Sequence, residues 1–243
     1  MRYLILFMFL IGIFVLGNQS FGGFHFGFGG VSGKGPVEKE TRSVGDFHAV
    51  EVEIPADVEV RVSDQYSVEV QAQENLLPLL KAEVKDGKLR LYFEENVSNA
   101  KDLKVWVSAP SFDHLALSGS GTLKAVSPLS GDRLELSIGG SGDIDVPQAD
   151  VAKMQCSIAG SGNIKVAGKA GEIGFEIAGS GDIAAKDLLA NTGKASIAGS
   201  GSVTCHVEQT LKAEIAGSGD VFYTGSPSVD TEIAGSGKVK KLE

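Results

Sequence analysis

The sequence predicts an all-β protein, a parallel β-solenoid of about seven Gly-Ser-Gly coils with an irregular β N-terminal half. Three observations lead there. First, one tripeptide recurs at Gly119-Ser120-Gly121, Gly140-Ser141-Gly142, Gly160-Ser161-Gly162, Gly179-Ser180-Gly181, Gly199-Ser200-Gly201, Gly217-Ser218-Gly219 and Gly235-Ser236-Gly237. Its separations of 21, 20, 19, 20, 18 and 18 residues suit one coil of a stacked solenoid. Second, apolar and polar residues alternate on both sides of the tripeptide. Leu117, Ile138, Ile158, Ile177, Ile197, Ile215 and Ile233 stand two residues before the first glycine, and Leu123, Ile144, Ile164, Ile183, Val203, Val221 and Val239 four after it. Third, the stretches between copies hold about one further strand, with turn formers such as Pro128, Gly131, Pro147, Gly168 and Pro227.

A meander of hairpins is the rival arrangement, because Gly-rich connections between alternating strands usually make hairpins. The short stretches between copies fit a coil better. In a coil, like residues stack over like, and the isoleucine column becomes an internal ladder with rungs about 4.8 Å apart. The glycines then supply corners at positive φ that approach the next coil's backbone closely.

Taken in order, the chain opens with Met1-Arg2 and an apolar run from Tyr3 to Leu16. Residues 1–17 read as a secretory signal peptide, or as a short anchor if uncleaved. The run falls short of the about twenty residues that a membrane span needs, and no cysteine follows it for a lipoprotein anchor. Residues 18–40 are rich in Gly and Phe, centred on Phe21 to Gly30, and read as a flexible linker. The body is expected to run from 41 to 243, with an irregular, capping β part over 41–110 and the regular repeats over 111–243.

Within the first part, Val50, Val52 and Ile54, then Val58, Val60 and Val62, then Val68 and Val70 alternate with polar residues as strands. Glu74 to Leu80 is the only plausible helical turn, and Pro78 keeps it short. Strands resume at 82–84, at 88–93 across an Asp86-Gly87 turn, and at 103–107. Trp106 faces outward if Val105 and Val107 face in, or caps the open end of the first coil, and the cap is the expectation because a solenoid needs a terminal unit over its open end. Near the other end, Lys238, Lys240 and Lys241 suit the protection of an exposed strand edge.

The formal net charge of −9 and the lack of a basic patch argue against a nucleic-acid partner. Cys156 and Cys205 both face the core, but two coils apart, about 9.6 Å along the stack. Bridged Cα atoms rarely exceed about 7 Å, so two buried free thiols are expected.

Arg42 to Phe47, Val58-Glu59-Val60-Arg61-Val62, Glu74-Asn75-Leu76-Leu77, Asp86-Gly87-Lys88-Leu89 and the Gly-Ser-Gly copies together resemble the head GIN domain family of auto-transporter adhesins. The resemblance covers 42–237 and implies an exported bacterial protein with a right-handed parallel β-helix. It also implies adhesion as the role, and it brings no catalytic residues. With six residues after Gly237, neither a C-terminal outer-membrane barrel nor a heptad stalk is expected. Residence in the periplasm, on the outer-membrane surface or outside the cell follows, in keeping with a Gram-negative source.

Four features of the sequence bear on catalytic chemistry. Asp143, Asn163, Asp182, Ser202 and Asp220 form one stripe, three residues after successive first glycines. Stacked carboxylates there could hold calcium or act as acid and base, yet Asn163 and Ser202 separate the acids and point to turn chemistry. The run from Gly139 to Val146 misplaces its acids for a calcium-binding nonapeptide repeat. His25, His48, His114 and His206 lack ligand spacing. Ser120 and its equivalents have no repeating histidine beside them and read as turn hydroxyls bonding the local backbone.

The expectation is therefore a non-enzymatic, exported binding module with no catalytic, cofactor or metal residues. Its partner would be a glycan, matrix or envelope protein, and self-association through the solenoid ends or the phenylalanine segment is possible. The membrane enters only through an uncleaved N-terminal segment. The alternative is a pectate-lyase-like enzyme using the aspartate stripe, against which the short inter-copy stretches argue.

Overall fold

The computed structural model describes residues 30–243. The signal-peptide expectation over 1–17, residues 18–29 of the linker, and His25 lie outside the described residues.

The described chain opens with the short β1 (Val31–Ser32) and then β2 (Val37–Arg42). The linker expectation is corrected here: strand structure begins before Thr41. The cause is legible. Most of β2 is exposed, and its Val-Glu-Lys-Glu-Thr-Arg run has no apolar face for periodicity to detect.

The next strands are β3 (Ala49–Val52) and β4 (Asp57–Val62), followed by β5 (Ser67–Gln73), β6 (Leu80–Lys85), β7 (Lys88–Phe93), β8 (Val97–Ser98) and β9 (Lys104–Ala109). Then come β10 (His114–Gly119) and β11 (Thr122–Ala125), and the long repeat strands β12 (Leu129–Gly140), β13 (Asp143–Gly160), β14 (Asn163–Gly179), β15 (Asp182–Gly199) and β16 (Ser202–Gly217). The chain closes with β17 (Asp220–Thr224), β18 (Ser228–Gly235) and β19 (Lys238–Lys241).

From β10 to β19 the pairing is parallel throughout, so the repeats are coils and not hairpins. The first glycines stack in register, Gly119 on Gly140, then Gly160, Gly179, Gly199, Gly217 and Gly235. Seven Gly-Ser-Gly copies thus span six full turns. The inward columns are those the alternation indicates: Leu117, Ile138, Ile158, Ile177, Ile197 and Ile215 are at most 3% exposed. A further inward column on the same sheet, two residues before the Leu136 column, runs Leu134, Met154, Ile173, Gly193 and Leu211, with its four large side chains buried.

The solenoid starts earlier than the tripeptide. Val50 and Val52 of β3 pair with Leu115 and Leu117, and Val58 and Val60 of β4 pair with Leu123 and Ala125. Residues 49–62 are therefore a full rung, whose corner is Ile54-Pro55-Ala56 with Ile54 and Ala56 buried. On its far side lie β7 and β9, also parallel. The order of rungs in space is thus 88–109, then 49–62, then 114–125, which differs from the order in sequence.

Beyond the 88–109 rung the pairing turns antiparallel: β6 on β7, β5 on β9, and β2 on β5. The tight turn between β6 and β7 uses Asp86 and Gly87 at φ of 51° and 74°, as the sequence indicates for an Asp-Gly hairpin. A single turn over Gln73–Leu80, with Leu80 N–H donating to Leu76 O at 3.1 Å, buries Leu76, Leu77 and Leu80 over the end of the core. These residues are the cap. Trp106 is not, contrary to expectation: Val105 and Val107 take the inward positions at 0% and 1% exposure, which turns Trp106 to the outer face.

Cys156 and Cys205 are free and buried. Burial pushes the Cys205 thiol up from 9.0 to about 12, and the Cys156 thiol higher still. Native protein at pH 8 should leave both unlabelled by a thiol reagent such as DTNB, with two thiols titrating after unfolding. Because the unfolded thiols ionise near pH 9 and the folded ones do not, this pair should leave stability unchanged below that pH and erode it above.

The corners make a second prediction. At Gly199, φ is 137° and an added Cβ would strike the Gly179 carbonyl, whereas at Gly119, φ is 113° but nothing lies within 4 Å. Gly119→Ala should cost about 1–2 kcal/mol of backbone strain. Gly199→Ala adds a backbone clash between rungs and should cost at least about twice that, measured as the shift in urea midpoint.

Candidate functional site

Successive corners are tied backbone to backbone. The amide of Ser141 donates to Gly119 O at 2.9 Å, Ser161 to Gly140 O at 2.8 Å, Ser180 to Gly160 O at 2.9 Å and Ser200 to Gly179 O at 2.8 Å. It is therefore the serine amide and not its hydroxyl that makes the corner bond, a correction to the turn-hydroxyl reading. The serine side chains project outward and are exposed. Corner chemistry is structural.

The aspartate stripe is real as a stack: Asp143 lies beside Asn163, then Asp182, Ser202, Asp220 and Lys238. Each carboxylate is held by a donor on the next rung. Asn163 Nδ2 donates to Asp143 Oδ1 at 2.8 Å, Ser202 Oγ to Asp182 Oδ1 at 2.6 Å, and the Lys238 amide to Asp220 Oδ1 at 2.9 Å. No two of these acids are adjacent. The arrangement relieves like-charge repulsion along the stack and offers no acid–base dyad.

The histidines are scattered among separate partners. His48 Nδ1 lies 2.8 Å from Asp113, and His206 bridges Glu208 at 2.6 Å and Thr224 Oγ1 at 3.0 Å. Among the described residues, no group of three potential ligands could hold a metal ion.

The outer face of the sheet before the corner carries a tighter charge cluster. Glu214 accepts from Lys212 at 2.8 Å, Lys194 at 3.1 Å and Ser196 Oγ at 3.1 Å. The Lys212 hydrogen bond first, then Lys194 and Ser196, hold its carboxyl down at about 2, against a smaller opposing effect of burial.

The outer face after the corner is more distinctive near the capped end. There Trp106 of β9, Glu59 of β4 and Lys124 of β11 stand side by side in one row. Lys39 of β2 lies over the Trp106 ring, 3.8 Å from its centroid, and pairs with Glu69 at 2.6 Å. On the opposite flank Lys124 reaches Asp145 at 3.7 Å. A shallow depression of about 190 Å³ opens between Trp106 and Lys124, with Asp57, Glu59, Lys104 and Thr122 around it. It meets a second, of about 360 Å³, at Lys124, lined onward by Val126, Pro128, Pro147 and Gln148. Lys124 borders both, and the two depressions, whose linings run over successive rungs, are together called the Trp106 trough. Sequence reasoning missed it because Glu59 and Lys124 are 65 positions apart and become neighbours only through the displaced rung order.

The Glu214 cluster yields a pH prediction. Its carboxyl is depressed from 4.5, so its stabilisation is present above that pH and is lost as pH falls toward about 2. Glu214→Gln should cost about 0.5–1 kcal/mol at pH 7, an amount discounted for solvent screening, and only a small fraction of that at pH 2, by thermal melts at both.

Solved structures share this architecture. A putative adhesin from Bacteroides fragilis NCTC 9343 superposes with a TM-score of 0.82 at 24% identity, over 88% of this chain and 100% of its own. A putative lipid binding protein from Parabacteroides distasonis ATCC 8503 matches at 0.76 and 27% identity, over 88% and 99% of the two chains. A putative adhesin from Parabacteroides merdae ATCC 43184 matches at 0.73 and 26%, over 88% and 99%. A search of the curated proteins finds no match. Residues 46–227 match the family model described as "Putative auto-transporter adhesin, head GIN domain", and the chain belongs to that family.

Proposed function

We propose that this protein is a non-catalytic adhesion module of the bacterial cell envelope that holds a glycan chain along the Trp106 trough. One observation carries the reading: a half-buried aromatic turned outward beside carboxylates and lysines, at one end of an open, elongated depression. A tryptophan face suits the apolar face of a sugar ring, and Asp57, Glu59, Lys104 and Lys124 suit its hydroxyls. The trough's openness suits a polymer lying across the sheet more than a small substrate that must be shielded from water. Family membership and the adhesin neighbours support an adhesive role and an exported or cell-surface location. The pectate-lyase-like alternative draws no support from the aspartate stripe, whose carboxylates are occupied by neighbouring donors.

Trp106 is the single tryptophan of the chain, so its fluorescence reports the trough directly. Ligands found on a glycan array should shift that emission on titration. Trp106→Ala should weaken binding by at least about tenfold, with little change in melting temperature. Unchanged binding by that variant sinks the trough assignment, and release of unsaturated sugar products overturns the non-catalytic reading.

A further inference from the structure

The two ends of the stack are finished differently. At the 88–109 end, antiparallel strands and the Leu76–Leu77–Leu80 turn cover the core. At the other end, β18 and β19 pair inward with β16 and β17, and nothing among the described residues pairs with their outer edges. Ile233 occupies the same column as Ile197 and Ile215, which are 2% and 3% exposed, yet it is 44% exposed. Val229 and Val239 are only partly buried. This rung therefore presents apolar side chains together with two rows of free backbone N–H and C=O groups, the condition that strand edges usually avoid.

We infer that a second copy of this chain covers this rung, end to end, about a two-fold axis through the Gly235-Ser236-Gly237 corner. Charge selects this axis. The outward residues of β18 include Asp230 and Glu232, and those of β19 are Lys238 and Lys240. Setting β18 on β18 opposes acids to acids, and setting β19 on β19 opposes lysines to lysines. A dyad at the corner instead lays β18 antiparallel on β19 of the second copy. Counting equal steps either side of Ser236, Glu232 meets Lys240 of the second copy, and Ile233 meets Val239. Symmetry makes both contacts twice. The free backbone groups of the two edges then complete each other, as in strand addition. The two-fold contact uses the open edge of both copies, and the other end of each is capped, so it closes as a pair and does not grow into a fibre. The Trp106 trough lies at the capped end, so a dimer of this kind holds two troughs far apart and facing outward, which raises avidity on a repetitive glycan.

The test uses residues 30–243, the described residues, because solved neighbours whose chains are matched over 99–100% of their length correspond to 88% of this chain. Sedimentation equilibrium should find a dimer with a Kd at or below about 10 μM. Glu232→Lys alone, or Lys240→Glu alone, should weaken it at least about tenfold by opposing like charges. The double variant should restore the dimer. An equimolar mixture of the two single variants should form a heterodimer, because each then meets an opposite charge at both contacts, a result that misfolding cannot produce. A wild-type chain that is monomeric at about 100 μM, or single variants that remain monomeric when mixed, overturns the proposal.

Discussion

The solenoid depends on one repeated contact, the close stacking of backbone on backbone at the Gly-Ser-Gly corner. From Ser141 on, each serine amide reaches the first glycine carbonyl of the preceding rung at 2.8–2.9 Å, and from Gly140 on each first glycine sits at positive φ where a side chain would strike the preceding rung. With the corner held this tightly, both flanking sheets are locked in register. The inward columns beside the corner then stack without offset, the register shifts falling on the far side of the coil, and a single core runs from Phe47 to Val221. Nothing in this device requires a particular outer residue, which frees the outer faces for other work.

Those faces show how parallel stacking constrains charge. In-register coils bring equivalent residues within about 4.8 Å, so a conserved carboxylate position would pile like charges. The sequence breaks the pile by alternation: Asp143, Asn163, Asp182, Ser202, with each carboxylate bonded to its neutral neighbour. Elsewhere opposite charges stack, as Lys153 on Glu172 at 3.1 Å and Arg90 on Glu53 at 2.6 Å. The aspartates thus look catalytic in a linear reading and are electrostatic relief in the stack. The row of Trp106, Glu59 and Lys124 follows the same alternation but adds an aromatic platform, with Lys39 over its ring, which is what marks it as the candidate binding surface.

A stack with one finished end and one open end is a polar object. Antiparallel strands and a leucine turn satisfy the core at the capped end, while Ile233, Val229 and Val239 remain short of cover at the other. The trough sits near the finished end and the self-complementary edge at the other. The proposed ligand trough and the proposed self-association edge therefore occupy separate surfaces, and neither needs the other's residues.

The repeat, its strand–corner–strand form, the inward columns and the buried, unpaired cysteines were all legible in the linear chain. Each of these follows from local alternation and from a fixed period, which parallel stacking copies directly into space. The start of the ordered body was not legible, because β2 is an exposed edge strand without an apolar face. Nor was the rung order legible. Only the tertiary structure placed 49–62 between 88–109 and 114–125, since no local signal tells a strand which non-sequential neighbour it joins. That displacement turned Trp106 from an expected cap into an outward platform beside Glu59 and Lys124. The candidate site was therefore decided by long-range pairing, whereas the scaffold that carries it was written in the repeat.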